Sequence, residues 1–184
     1  TIKVPFRIAF QSIKIVPEQG IQADLATVKG LVEEKEYLKA LYLLEIMPEN
    51  IESAALKYQC KLEVSENSAI RYFDVIQEKY RGDEQYPAVM ESIMHLVLVS
   101  DSRTDAVIKN GLDAAERLLR SGRNGDYRVH ETMGILCYRY GESFKRKGVQ
   151  ALENSIPAAK MNCAGDDVIE HLEEQVKIYR EKLD

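Results

Sequence analysis

From residue 22 onward the apolar residues recur at intervals of three and four, and strand-like alternation is nearly absent. That spacing lines up one side of an α-helix, whose period is about 3.6 residues. The pattern predicts helices over residues 21–34, 37–47, 51–62, 66–80, 86–99, 103–121, 127–141 and 147–161, and a further helix in the last segment. In that segment Ile169, Leu172, Val176, Tyr179 and Leu183 form one stripe, while Glu170, Glu173, Glu174, Lys177, Arg180 and Glu181 fall elsewhere. Asp166 and Asp167, after Gly165, are suited to cap it. The breaks Pro48-Glu49-Asn50, Arg81-Gly82-Asp83, Ser100-Asp101-Ser102, Ser121-Gly122-Arg123-Asn124-Gly125-Asp126 and Cys163-Ala164-Gly165-Asp166 supply the usual turn residues. Connections this short make successive helices antiparallel neighbours. Pro157 sits inside a helical stretch, where its missing N–H and its ring predict a kink or a helix end near Ile156.

Residues 1–20 can be read in two ways. Ile2, Val4, Phe6, Ile8 and Phe10 alternate as in a strand, yet Phe6, Ala9, Phe10, Ile13 and Val16 also fit one helical face beginning at Pro5.

Helix pairs closed by a turn recur along the chain, which points to an internal repeat. Lys35-Glu36-Tyr37-Leu38-Lys39-Ala40-Leu41-Tyr42 resembles the start of the second helix of a tetratricopeptide repeat, with an aromatic residue followed three positions later by Ala. Phe10-Gln11-Ser12-Ile13-Lys14-Ile15-Val16-Pro17-Glu18-Gln19 resembles the end of such a unit, which favours helix for residues 1–20. The stretch from Ala69 to Tyr80 and that from Ala151 to Ala159 are similar to second helices, and Gly134 fits the close-packing glycine of a first helix. The spacing departs from the family's regular period, and Val28 stands where a small residue would be. The resemblance implies an all-α fold: a right-handed superhelical array of antiparallel helix pairs, about nine to ten helices in one domain over residues 1–184. Residues 1–20 would be the second helix of a truncated preceding repeat, and residues 166–184 a C-terminal capping helix.

Composition supports a folded chain: 45% hydrophobic and 30% charged residues offer enough apolar material to offset ordering entropy. The apolar runs, such as Leu96 to Val99, fall far short of the ~20 residues that cross a bilayer, so a soluble protein without membrane insertion is expected. The start at Thr1, without Met or a cleavage signal, leads to the expectation of a fragment or processed product. Cys60, Cys137 and Cys163 are odd in number and far apart, which favours reduced, buried or half-buried thiols in the cytoplasm or another reducing compartment. The absence of an Asn-x-Ser/Thr sequon agrees.

Catalytic and metal sets are not found. His130-Glu131 opens like a zinc-protease helix but lacks the second histidine one turn on. His130 with Cys137, or His171 with Cys163, lacks the close ligand pairs of zinc sites. Residues 121–126 lack the Gly-Lys-Ser/Thr ending of a phosphate loop and follow a helix, so they read as a turn. Clusters such as Glu33, Glu34 and Glu36, or Glu173 and Glu174, read as solvated helix faces. No enzyme, no cofactor and no metal is expected.

Charge distribution says more. The net charge of −5 opposes general nucleic-acid binding. Residues 117–147 nevertheless hold Arg117, Arg120, Arg123, Arg128, Arg139, Lys145, Arg146 and Lys147 against Asp126, Glu131 and Glu142. Tyr127, Tyr138 and Tyr140 lie among them, and Tyr138 and Tyr140 cannot share one helix face, so at least one is expected in the core. A stack of helix pairs presents its first helices on a concave surface, which puts Lys29, Glu33, Lys57, Lys61, Glu91, His95, Arg128, Glu131 and Arg139 forward. The partner-binding set expected from charge and geometry together is Arg128, Arg139, Arg123, Arg120, Lys145, Arg146, His95 and Lys29. The function expected is a protein-interaction module that grips a peptide or helix, an acidic segment being the favoured ligand. A structural subunit that self-associates is the alternative, with nucleic-acid binding a lesser one. The Lys/Asn/Arg set with which some family members hold C-terminal carboxylates is not found.

Overall fold

The computed structural model describes residues 24–100 and 103–183, and these form nine α-helices and no strand. They are α1 (Leu25–Glu33), α2 (Tyr37–Ile46), α3 (Ile51–Val64), α4 (Glu66–Tyr80), α5 (Tyr86–Val99), α6 (Asp105–Arg120), α7 (Tyr127–Tyr140), α8 (Glu142–Met161) and α9 (Asp166–Glu181). The expectation for residues 1–20 lies outside the described residues.

Local chemistry sets the starts. Asp24 accepts a hydrogen bond from the Thr27 N–H at 2.8 Å, and Asn50 accepts one from the Ser53 N–H at 2.9 Å, so α1 and α3 open on side-chain caps. Asp126 does the same for α7 through the Arg128 N–H at 3.1 Å. The 121–126 stretch is the expected turn, with Gly122 at a φ of 94° and a short 3-10 turn over Arg123–Gly125.

Three local expectations are corrected. α8 begins at Glu142, immediately after Gly141, rather than near residue 147. It continues through Pro157 to Met161 instead of ending at Ile156, because Ser155, Ala158 and Ala159 remain buried on its packed side and offset the lost backbone bond. The N-cap of α9 is Gly165, and Asp166 and Asp167 occupy its first turn, where their charges still favour the positive helix end.

Each helix packs on its sequence neighbour or on the next but one. α1 lies against α2 and α3, α3 against α5, α4 against α3 and α6, α5 against α6 and α7, and α8 between α7 and α9. The buried residues fall into two groups. A large core runs from Ile51 to Ala151 through α3 to α8, and includes Tyr58, Phe73, Met90, Ile93, Leu118 and Leu136. A smaller core joins Val28, Ala40, Leu43 and Leu44 to Cys60, with Tyr37 packed against it. Ala40, Ala69 and Ala151, the small residues of the repeat resemblance, are all buried. Val28 is completely buried as well, so the space expected to suit a small residue holds a valine. Within the large core the Asn110 amide donates to the Tyr58 hydroxyl at 3.3 Å, and burial pushes the Tyr58 phenol up to about 12.

The closest helix contact is between α7 and α8. A Cβ on Gly134 would lie 2.5 Å from Leu152 Cγ and 2.9 Å from the Gly148 carbonyl oxygen, and one on Gly148 would lie 2.8 Å from the Gly134 oxygen. Gly134 is therefore the close-packing glycine that the sequence led us to expect, and Gly148 is its counterpart. Gly134→Ala should lower the unfolding free energy by roughly 1–3 kcal/mol through overpacking. Gly30→Ala, on α1 with nothing within 4 Å of the added methyl, should raise it by about 0.5–1 kcal/mol. Urea denaturation of the two variants checks both signs.

Candidate interaction surfaces

Because α1, α3 and α5 pack side by side, their outer sides meet in a cleft of about 330 Å³. Leu25 and Lys29 of α1, Ile51 and Glu52 of α3, and Ala88 and Ser92 of α5 line it. The steps of three and four between the lining positions on each helix explain why they share one side. His95 continues the α5 row and is exposed. On α7 the same spacing aligns Arg128, Glu131 and Arg139, of which the two arginines are exposed.

The structure separates two of the first-helix candidates from this surface. Lys57 is buried, 3.3 Å from Glu45 and 3.9 Å from Glu49, with its ammonium 5.3 Å from the centre of the Tyr72 ring. Lys61 stands 3.3 Å from Glu45 and 5.5 Å from the same ring. Glu52 and Ala55 mark the cleft side of α3, so Lys57 and Lys61 project toward α2 and α4 instead. Lys79 completes the group by donating to Glu49. The sequence carries a signal for this network that our reading did not use: two acids and two lysines, each four residues apart, on consecutive segments.

The basic region is partly neutralised from within. Arg123 donates to Glu91 at 3.0 and 3.3 Å and to Asp126 at 2.6 Å, and these hydrogen bonds raise its pKa. Glu116 takes Lys147 at 2.7 Å and lies 3.6 Å from Arg120, while Lys145 pairs with Glu142. Arg117 donates to the Gln77 side chain at 2.7 Å, and Arg139 to the Leu98 carbonyl at 2.7 Å. Arg128 stacks on Tyr127, its guanidinium carbon 5.7 Å from the ring centre, and Arg146 is exposed. Arg123 and Arg128 are brought together in a second cleft, of about 620 Å³, between the α6–α7 and α8–α9 connections. There the Asn162 amide donates to the Gly125 carbonyl at 2.5 Å and ties the two loops. Neither Lys29 nor His95 lines this second cleft.

Tyr138 packs edge-on against Tyr179 with ring centres 4.5 Å apart, and Tyr140 against Phe144 at 4.6 Å. The Lys145 ammonium sits 4.8 Å from the Tyr138 ring centre.

Cys60 and Cys137 are buried, and burial pushes the Cys60 thiol up to about 11 and raises that of Cys137, so both stay protonated at neutral pH. Cys163 departs from the expectation of burial: it is exposed, in the connection after α8, with a φ of 53°. His130 Nε2 lies 2.7 Å from the Asn124 carbonyl oxygen, and His171 lies 3.8 Å from Glu131. Among the described residues no three His, Cys, Asp or Glu side chains are grouped to hold a metal, and no helix is long and apolar enough to cross a membrane.

No family model, no curated protein and no solved structure is significantly similar to the chain.

The Glu45–Glu49 network makes stability depend on pH. The Lys79 hydrogen bond leads the effects that hold the Glu49 carboxyl below its ordinary value. Burial pushes Glu45 up, but Lys57 and Lys61 outweigh it and the net shift is downward. A lowered folded-state pKa adds stability above the unfolded value and loses it as pH falls through the folded one. The urea midpoint should therefore decline as pH drops below about 5. Glu49→Gln should start lower at neutral pH and decline less, so that the two curves converge in acid.

Proposed function

We propose that the chain is a non-catalytic protein-interaction module, built as a TPR-like right-handed array of helix pairs. A peptide or helix of a partner lies on the face formed by α1, α3, α5 and α7. The observation that carries this reading is the cleft shared by α1, α3 and α5, which follows from their side-by-side packing and mixes apolar walls with Lys29, Glu52 and Ser92. Such a face suits an extended ligand, since each successive first helix adds a further set of side chains along one line. Arg128 and Arg139 extend it with exposed cations that have no carboxylate partner among the described residues, which favours an acidic partner segment. Quantitative capture from the native source, with the bound protein identified, tests the reading. Arg128→Glu combined with Arg139→Glu should reduce capture by roughly ten-fold or more at unchanged helicity. Undiminished capture by this double variant rejects the basic groove.

One observation favours a second reading, self-association within a larger assembly. Leu38, Tyr42 and Ile46, spaced four apart on α2, are exposed, Leu38 by 61% and Ile46 by 58%. If this row joins copies, the protein sediments above monomer mass, and Leu38→Glu with Ile46→Glu returns it to monomer. A wild-type chain that is monomeric at high concentration removes this reading.

A further inference from the structure

The turn between α4 and α5 and the end of α6 enclose a small cavity that neither the proposed groove nor the basic cleft includes. Its volume is about 270 Å³, and its walls include Arg81, Asp83, Tyr86, Arg117, Arg120 and Ser121. Three arginines thus border one hollow, although Arg81 is distant in sequence from the other two. Arg81 is exposed and makes no ion pair among the described residues. Arg120, 75% exposed, approaches only Glu116, which is already held more closely by Lys147. Arg117 uses one nitrogen on Gln77 and keeps its other donors. Against them stands one acid among the lining residues, Asp83, whose carboxylate accepts from the Gln85 N–H at 2.8 Å and keeps its charge. The cavity wall therefore carries a surplus of positive charge with unused donors.

Tyr86 also lines the hollow; the residue is 7% exposed, and its hydroxyl is closed to solvent and has no hydrogen-bond partner. Arg117 and Arg81 are near enough to act on the phenol, lowering its pKa against the larger upward push of burial.

We propose that this pocket binds a phosphate group, held by Arg81, Arg117 and Arg120. Three forked cations match the charge and the several oxygens of a phosphate dianion, whereas a carboxylate would satisfy a single fork. The volume falls below that of sites for drug-sized ligands, which run from about 300 Å³ upward. Free inorganic phosphate and a phosphorylated serine side chain share this chemistry. The site does not depend on the groove reading, since it uses none of the same residues.

The test is titration of the full chain with inorganic phosphate, and separately with a phosphoserine peptide, at constant ionic strength so that screening does not change. Backbone amide shifts are followed by NMR. Saturable shifts confined to Gly82, Tyr86 and Ser121 are expected. Arg81→Glu with Arg120→Glu, both exposed positions, should weaken binding roughly ten-fold or more, with melting curves confirming that the variant is folded. Equal affinity for the two probes assigns the site to free phosphate, and tighter peptide binding assigns it to a phosphorylated side chain; either supports the pocket. Absence of saturable shifts with both probes, or binding unchanged in the double arginine variant, overturns it. Groove variants at Arg128 and Arg139 should leave phosphate binding intact, which separates this result from the test of the interaction face.

Discussion

The approach of α7 to α8 through Gly134 and Gly148 is the constraint on which the C-terminal half is organised. Two residues without side chains allow the backbones to meet, and each leaves its carbonyl oxygen where the other's Cβ would be. Once α8 is fixed on α7, its long second half carries α9, and the Asn162 amide can reach the Gly125 carbonyl to join two loops. The same closeness fixes Leu136 beside Gly111 and Val97, so that α5, α6 and α7 interlock without a gap. The first turn of α7, with Arg128, and its last turn, with Arg139, inherit their positions from this packing.

Charge is distributed by pairing more than by patch. The run of basic residues that stands out in the sequence is broken up by Glu91, Asp126, Glu116 and Glu142, three of which come from neighbouring turns of the chain. Among the arginines with donors left free are Arg128 and Arg139 on the outer line of α7 and Arg117 at the hollow beside Tyr86. Surface pairs of this kind add little stability individually, and their main effect here is to decide which cations stay available to a ligand. Lys57 is different, because its burial between two carboxylates and the Tyr72 ring makes it part of the packing of α2 on α3 and α4.

The helices were legible in the sequence because each buries a stripe at a spacing only a helix can satisfy, and capping residues such as Asn50 and Asp126 mark their starts. Gly134 was legible for the same reason, as a small residue among large apolar ones. The start of α8 was not, since Phe144 is the lone apolar residue between Gly141 and Gly148, too little to mark a stripe. Nor was the course past Pro157, where tertiary packing of Ala158 and Ala159 outweighs a local rule. For the sites, periodicity put Lys29, His95, Arg128 and Arg139 on helices, and they lie on α1, α5 and α7. It could not show which side of α3 is covered, so Lys57 and Lys61 were misplaced. It also could not bring Arg81 to Arg117 and Arg120, because that neighbourhood arises from α4 packing on α6.

The division of the interior into two unequal cores gives the molecule a gradient of local stability. Amide protons of α1 and α2, which rest on the smaller cluster around Val28 and Leu44, open at a lower free energy than those of α5 to α8, within the large one. Ligation of the α1, α3 and α5 cleft would tie the weaker unit to the stronger, because its walls belong to both. A partner seated there would be sensed as slowed hydrogen exchange in α1 and α2, so that the looser end of the molecule acts as a reporter of occupancy.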